Sequence, residues 1–328
     1  MITSPDVSVV LPVYNGQEYL KQSIDSVLEQ SCGKFELIIW DDQSTDDSTK
    51  IVGEYDDHRI RRFANARNLG LFPTLNSAIA EAKAPLIRLW SQDDVMKRNC
   101  LEEELAFLER NPDVGMSYCC YDMIDDKGTV IYPAPDDPTP DVVSPKLAAQ
   151  IMFYHGSITG NIANVTLKKS VIEEMGGFRE DMRIAGDFEM WVRISERFPI
   201  GYLRRPMIYL RSHDGQFSRQ APSYVTCMGE EHSIYATLLQ RQPAAELDYA
   251  KKYDRRHRYL QYVHFMIRHF LMGHFKIALA SYKAIRQIDN PVALIGLWIL
   301  TADQRLFRMM SKYELAYGKP EFQPDRGH

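Results

Sequence analysis

Apolar and polar positions along the first hundred residues fall into blocks of two alternating kinds. VSVVLPV (7–13) is short, β-branched and almost wholly apolar, which predicts a buried strand. Residues 17–30 then place Tyr19, Ile24, Val27 and Leu28 at helical intervals. FELIIWDD (35–42), RIRRFAN (59–65) and PLIRLW (85–90) predict three more strands. Helices are expected after Ser44-Thr45-Asp46, whose side chains can cap free N–H groups, and over 72–83. Near-continuous apolar strands joined by helical crossovers imply a parallel sheet covered on both faces.

From about residue 114 the alternation changes. VGMSYCCYDMID and DDKGTVIY predict a hairpin turning at Asp126-Lys127-Gly128, and PAPDDPTPD (133–141) an exposed loop. Helices are expected over 146–154, over 168–176 with a stop at Gly176-Gly177, and over 187–197. IGYLRRPMIYLR (200–211) reads as a strand. Beyond about 220 the chain turns helical. Leu260, Val263, Ile267, Phe270 and Leu271 share one spacing, and Phe275, Leu279, Tyr282 and Ile285 a second, with Gly273 between them. The expectation is a helical hairpin packed on the main domain.

With 328 residues, the chain can build one large α/β domain or two ordinary ones. Its 45% hydrophobic and 25% charged content excludes a disordered chain. Five cysteines without a CxxC spacing argue against a disulfide framework or a zinc site, and for a reducing compartment. The start of the chain does not read as a signal peptide, and PVALIGLWILTA (291–302) is too short to cross a bilayer, so a cytoplasmic protein is expected.

Charge is uneven. Residues 251–328 hold 14 Lys and Arg against 6 Asp and Glu, whereas the first 250 hold 25 against 38. A basic tail on an acidic body points to an anionic partner, and no nucleic-acid-binding motif accompanies it. An anionic membrane surface is the sharper expectation, met by His257, Arg258, Arg268 and Lys276 with Trp298 at the interface. A solvated helix pair is the plain alternative.

Ligands of such sheets bind outside the carboxyl ends of the strands. Three polar clusters fall there: Tyr14-Asn15, Asp41-Asp42 and Asp93-Asp94. No GxGxxG or GxxxxGK[ST] follows the first strand, which excludes the common glycine cradles for a diphosphate. A divalent cation held by carboxylates would supply the missing positive charge. Taken alone, Asp93-Asp94 either cap a following polar helix or hold such a cation. Asp41-Asp42 could be a strand-end turn, Asp187 a solvated helix-start acid, and His213 a structural histidine.

VSVVLPVYNGQEYLKQSIDSVLEQS, FELIIWDDQSTDDST, NLGLFPTLNSAIAEAKAPLIRLWSQDD, GGFREDMRIAGDFEMWVRI and YLRSHDGQFS follow one another in order, and together they resemble a family 2 glycosyltransferase over roughly residues 6–220. The resemblance implies a GT-A fold, an α/β architecture with a mostly parallel sheet, here with a C-terminal helical extension. Residues 1–112 would form the nucleotide-sugar-binding half, 113–220 the acceptor-binding and catalytic half, and 221–328 the basic extension. It implies donor contacts at Pro12, Tyr14, Asn15, Asp41, Asp42, Arg67, Asn68, Asp93 and Asp94. Tyr14 would stack on the nucleobase, Asp42 accept from the nucleoside, Asp41 shape its turn, and Arg67 and Asn68 approach the diphosphate.

The resemblance makes Asp93 the ligand of Mn2+ or Mg2+, with His213 reaching the metal or diphosphate and Asp94 holding ribose or sugar hydroxyls. Asp187 is the implied general base of an inverting transfer, with Glu189 in reserve. Partners are then a UDP-, GDP- or dTDP-sugar and a glycan or lipid-linked acceptor, in bacterial surface polysaccharide synthesis. The sequence departs from the family pattern twice: Ser91 stands where an acid is common, and Gly186 where a Glu is usual. A pyrophosphorylase on a related fold would need a glycine-rich basic loop that LPVYNGQEYL lacks, and a non-catalytic sugar-nucleotide-binding or scaffold protein is the rival of another class.

Overall fold

β1 (Val7–Val13) lies between β2 (Phe35–Asp41) and β4 (Leu86–Leu89), and both pairings are parallel. Its valines and leucine are buried on both sides, as the apolar run requires. β3 (Ile60–Ala64) extends the sheet from β2, again in parallel. The crossovers are α1 (Leu20–Leu28), α2 (Ser48–Gly53) and α3 (Leu71–Glu81). All of these lie where the periodicity predicts them.

The computed structural model describes residues 4–213 and 221–301. After β4 come β5 (Val95–Met96), α4 (Cys100–Arg110), β6 (Met116–Ile124), β7 (Val130–Tyr132) and β8 (Val142–Val143). Then follow α5 (Pro145–His155), β9 (Val165–Lys168), α6 (Lys169–Met175), α7 (Gly186–Arg197) and β10 (Ile200–Arg211). The sheet order is β3-β2-β1-β4-β9-β6-β10-β5, with β7 on β6 and β8 on β10.

β9 is antiparallel to both β4 and β6, so those two strands run the same way, and β10 is parallel to β6. The carboxyl ends of β1, β2, β3, β4, β6 and β10 therefore share one edge. β5 and β8, of two residues each, are too short to show alternation, and β9 runs straight into α6, whose helical pattern masks it.

One expectation is corrected at Asp93-Asp94. The next element is β5, not a helix, and α4 begins only at Cys100 behind Asn99. The two acids cap nothing. Beneath them, fully buried Arg88 of β4 pairs with Glu104 of α4 at 2.9 Å and donates to the carbonyls of Leu89 and Ala163. Removing one partner of such a buried pair costs about 3–5 kcal/mol, because the other charge is left uncompensated.

The chain divides into two compact units, Met1–Ala134 with Pro138–Arg219, and Pro135–Asp137 with Gln220–His328. The second contains α8 (Ala221–Gln240), α9 (Leu247–Asp254), a π-helical turn (Arg255–Tyr259), α10 (Leu260–Leu271), α11 (Phe275–Ile288) and α12 (Pro291–Leu300). Met228, Tyr262, Val263, Met266, Ile285 and Leu294 form its own core. Gly273 separates α10 from α11 at φ 78°, a conformation open to glycine.

Of the expected apolar stripes, Leu260, Val263 and Ile285 are buried, but the rest of the packing face differs. α11 buries Ala278, Ser281 and Ile285, while Phe275, Leu279 and Tyr282 face outward, as do Phe270 and Leu271 of α10. α11 has apolar groups on two faces, and spacing alone selects the bulkier, wrong one. Among the described residues, no helix is long and apolar enough to cross a membrane.

Candidate active site

Past β1 the chain turns sharply, with Asn15 in the left-handed region at φ 49°. The backbone of this turn is fastened to residues 44–48. Asn15 N–H donates to Ser44 Oγ at 3.0 Å, Gly16 N–H to Ser48 Oγ at 2.9 Å and Gln17 N–H to Asp46 Oδ2 at 3.0 Å. In return, Asn15 Oδ1 accepts from Thr45 N–H at 2.7 Å. Gln92 clamps Tyr14 from the β4 side: Tyr14 N–H donates to Gln92 Oε1 at 2.9 Å, and Gln92 Nε2 donates to Tyr14 O at 3.1 Å.

A Cβ at Gly16 would lie 2.5 Å from the Gln92 amide, so any larger residue there would push that amide off its two bonds to Tyr14. The Tyr14 ring is 47% exposed, on a rigid backbone, and offers a face to a flat ligand. Pro12, half-buried, sits opposite Trp40 two residues upstream.

At the end of β2 both acids shape loops. Asp41 accepts from Ser44 N–H at 3.2 Å. Asp42 is only 4% exposed, and its carboxylate accepts from Asn65 Nδ2 at 2.7 Å, Leu69 N–H at 2.8 Å and Gly70 N–H at 2.8 Å. Turn-shaping thus belongs to both residues and more heavily to Asp42, whereas the sequence reading gave it to Asp41 alone. The turn that Asp42 holds presents Arg67 and Asn68 to solvent. Arg67 makes no hydrogen bond or ion pair among the described residues, a cation ready for an anionic ligand.

Asp93, Asp94 and His213 meet where β4 and β10 end. His213 Nε2 is buried without a hydrogen-bond partner among the described residues, and it lies 3.7 Å from Asp93 Oδ2. Burial pushes Asp93 up from the usual carboxylate range, against the pull of His213 and Arg211. Burial also pushes Asp94 up, to about 7, although its Oδ1 accepts from Arg211 N–H at 2.8 Å.

Arg211, missed in the sequence, fastens the corner. Its guanidinium donates to Asp93 O at 2.9 Å, Gln22 Oε1 at 2.6 Å, Asp125 O at 3.0 Å and Asp126 O at 3.1 Å. It also lies 4.4 Å from the centroid of Tyr19, which in turn packs at 5.1 Å on His213. An arginine closing an apolar strand two residues before a histidine was the available signal.

The Asp93–His213 separation is longer than a hydrogen bond and, among the described residues, leaves a buried nitrogen without a partner. An imidazole nitrogen and a carboxylate oxygen facing each other this way fit a divalent cation as a partial ligand set. Among the described residues no group of three or more His, Cys, Asp or Glu side chains could complete it. Asp214–Ser218 of the YLRSHDGQFS stretch lie outside the described residues. A cleft of about 400 Å³ lined by Gln17, Glu18, Asp47, Lys50, Ile51 and Glu54 contains none of the candidates.

Asp187 is the second residue of α7, half-buried, its Oδ1 accepting from Phe188 N–H at 2.7 Å. The preceding Gly186 has a physical reason: a Cβ there would lie 2.7 Å from the Phe72 ring. Phe72 follows Gly70 by two residues, so this contact ties the start of α7 to the turn that Asp42 holds. Glu189, the reserve base, has a partner within its own helix. It pairs with Arg193 at 2.8 Å, and Arg193 also donates to the carbonyls of Met175 and Gly177.

The profile described as Glycosyl transferase family 2 matches residues 8–160. EpsE of Bacillus subtilis strain 168, named as a glycosyltransferase, is 30% identical over 233 residues, covering 68% of this chain and 79% of EpsE. TuaG of the same organism, named as a glycosyltransferase of teichuronic acid biosynthesis, is 34% identical over 128 residues, 38% of this chain and 50% of TuaG. A mannosyltransferase of Pyrobaculum calidifontis, PcManGT, solved with GDP-Man and Mn2+, superposes with a TM-score of 0.56 at 16% identity, over 96% of this chain and 86% of that one. That likeness shows the fold, in keeping with the GT-A architecture the motifs implied. By motif order, fold and relationship to EpsE, this chain belongs to glycosyltransferase family 2.

Proposed function

We propose that the protein transfers a sugar from a nucleoside-diphosphate sugar to an acceptor hydroxyl, with inversion at the anomeric carbon. The observation that carries this reading is the buried His213 Nε2, without a hydrogen-bond partner among the described residues, facing Asp93 across 3.7 Å at the carboxyl edge of the sheet. The donor would lie along that edge. Its base stacks on Tyr14, and Pro12, Asn15, Asp41 and Asp42 form the wall beside the nucleoside. Arg67 and Asn68 meet the diphosphate, and Asp94 the ribose or sugar hydroxyls. Residues 1–112 then supply the donor half and 113–220 the acceptor half.

Asp93 and His213 would hold Mn2+ or Mg2+, the former being present in the PcManGT structure. Such a cation offsets charge on a departing diphosphate. Asp187 takes the proton of the acceptor hydroxyl as its oxygen bonds to the anomeric carbon. The bond from that carbon to the diphosphate oxygen breaks, and its electron pair leaves with the diphosphate. The name of TuaG supports a surface polysaccharide as the setting, with a glycan or lipid-linked glycan as acceptor. The location that suits a lipid-linked acceptor is peripheral, on the inner face of the membrane.

Thermal unfolding with UDP-, GDP- and dTDP-sugars, each with and without Mn2+, tests the donor site. One donor should stabilise the protein by about 2.7 kcal/mol at a hundredfold excess over its Kd. The Mn2+-dependent part should vanish in Asp93→Asn. If no nucleoside diphosphate raises the midpoint in any combination, the donor-site reading is wrong.

A further inference from the structure

From Arg255 to Ile288 the sequence carries seven Lys and Arg, four His and no Asp or Glu. Some of this charge turns inward: Arg255 pairs with Asp289 at 2.8 Å, and Arg258 with Asp254 at 2.6 Å over the ring of Tyr235. Arg268, Lys276, Lys283 and Arg286 do not. They are exposed, and among the described residues no carboxylate pairs with them.

A cluster of exposed apolar groups of the helical unit lies among these cations. Leu271 is 78% exposed, Phe275 62%, Phe270 57% and Met272 54%, all at the turn between α10 and α11. Phe270 meets Phe275 edge to face at 5.5 Å, so the groups form one patch. Leu279 and Tyr282 continue it along α11, because positions 275, 279 and 282 share a helical face. Arg286 ends that face, and Lys276 and Lys283 flank it.

A contiguous apolar patch of this kind marks a binding surface, and the charge around it selects the occupant. A second copy of the chain fits poorly, since a two-fold contact would bring Lys276, Lys283 and Arg286 toward their own counterparts. An anionic lipid surface answers both features at once, with acyl chains for the apolar turn and phosphates for the cations.

We infer that the α10–α11 turn and the outer face of α11 dock on an anionic membrane, with Leu271 and Phe275 entering the headgroup boundary. This deepens the peripheral location proposed above and revises the residue set expected from sequence. Arg258 is committed to Asp254, and Trp298 packs against the core of the helical unit.

The test is sedimentation of the full-length protein with vesicles of equal parts phosphatidylglycerol and phosphatidylcholine, and with phosphatidylcholine alone. Binding should require the anionic lipid and fall with salt. Leu271→Glu and Phe275→Glu should each weaken it by about tenfold or more. Replacing Lys276, Lys283 and Arg286 by Gln should weaken it by about fivefold per charge. Both apolar positions are exposed, so the variants should keep the wild-type melting midpoint and the wild-type response to nucleotide sugars. Failure of the donor-site reading would therefore be seen separately. Equal binding to both vesicle types, no binding, or wild-type binding by both Glu variants would overturn the inference. So would a homodimer in sedimentation velocity that Leu271→Glu dissociates.

Discussion

Gln92 occupies the second place of Ser91-Gln92-Asp93-Asp94, and its amide both accepts from and donates to the backbone of Tyr14. A carboxylate could only accept. The amide holds the backbone of the residue proposed to carry the base, so losing both bonds in Gln92→Ala should raise the donor KM about tenfold, roughly 1.4 kcal/mol. Turnover at saturation should stay near wild type, because the loss falls equally on ground and transition states. Initial rates over a range of donor concentrations measure both. The two acids in the first turn of α7 separate as sharply. Asp187→Asn should lose about 10²- to 10⁴-fold in kcat, whereas Glu189→Gln, which disturbs only the pair with Arg193, should stay within about tenfold. Similar losses in the two variants would return Glu189 to candidacy.

At the scale of elements, α7 is aimed by a contact between rings and a missing side chain. Phe72 fills the space at Gly186 and stacks on Phe178, which meets Trp191 of the same helix at 6.0 Å. Gly186→Ala should therefore destabilise the protein by about 1–3 kcal/mol through overpacking. Combining it with Phe72→Leu should cost less than the sum of the single changes, since one variant makes room for the other. Urea unfolding of the four proteins measures the coupling, and strict additivity would show that the contact is not the reason for glycine.

This contact was invisible in the sequence, as were the roles of Gln92 and Arg211. Their partners lie up to 189 positions away, beyond any local spacing. The helices and the apolar strands were readable because their periods persist over several residues. The outward face of α11 was misread because its apolar spacing is as regular as that of the buried face. Tyr14, Asp93 and His213 could be nominated from motifs and strand ends. Only the folded chain shows Asp93 and His213 converging on one corner.

At the scale of the whole molecule, the sheet is assembled out of sequence order. β4 closes its β1 side locally, but its other neighbour is β9, which is some eighty residues further along. During synthesis the finished β1–β4 portion presents an unpaired strand until Val165–Lys168 leave the ribosome, a wait on the order of ten seconds. An open strand of this kind recruits other chains unless something on it forbids pairing, and an inward-pointing charge is one known deterrent. Arg88 is such a charge, at the centre of β4 and opposite Thr166 of the missing strand. A chain ending at residue 160 and carrying Arg88→Val should aggregate faster than the same chain with Arg88, and equal light scattering from the two would remove the idea. Faster scattering from the Arg88→Val chain would give the arginine buried in the finished enzyme a second part in the nascent one, as the guard of an unfinished edge.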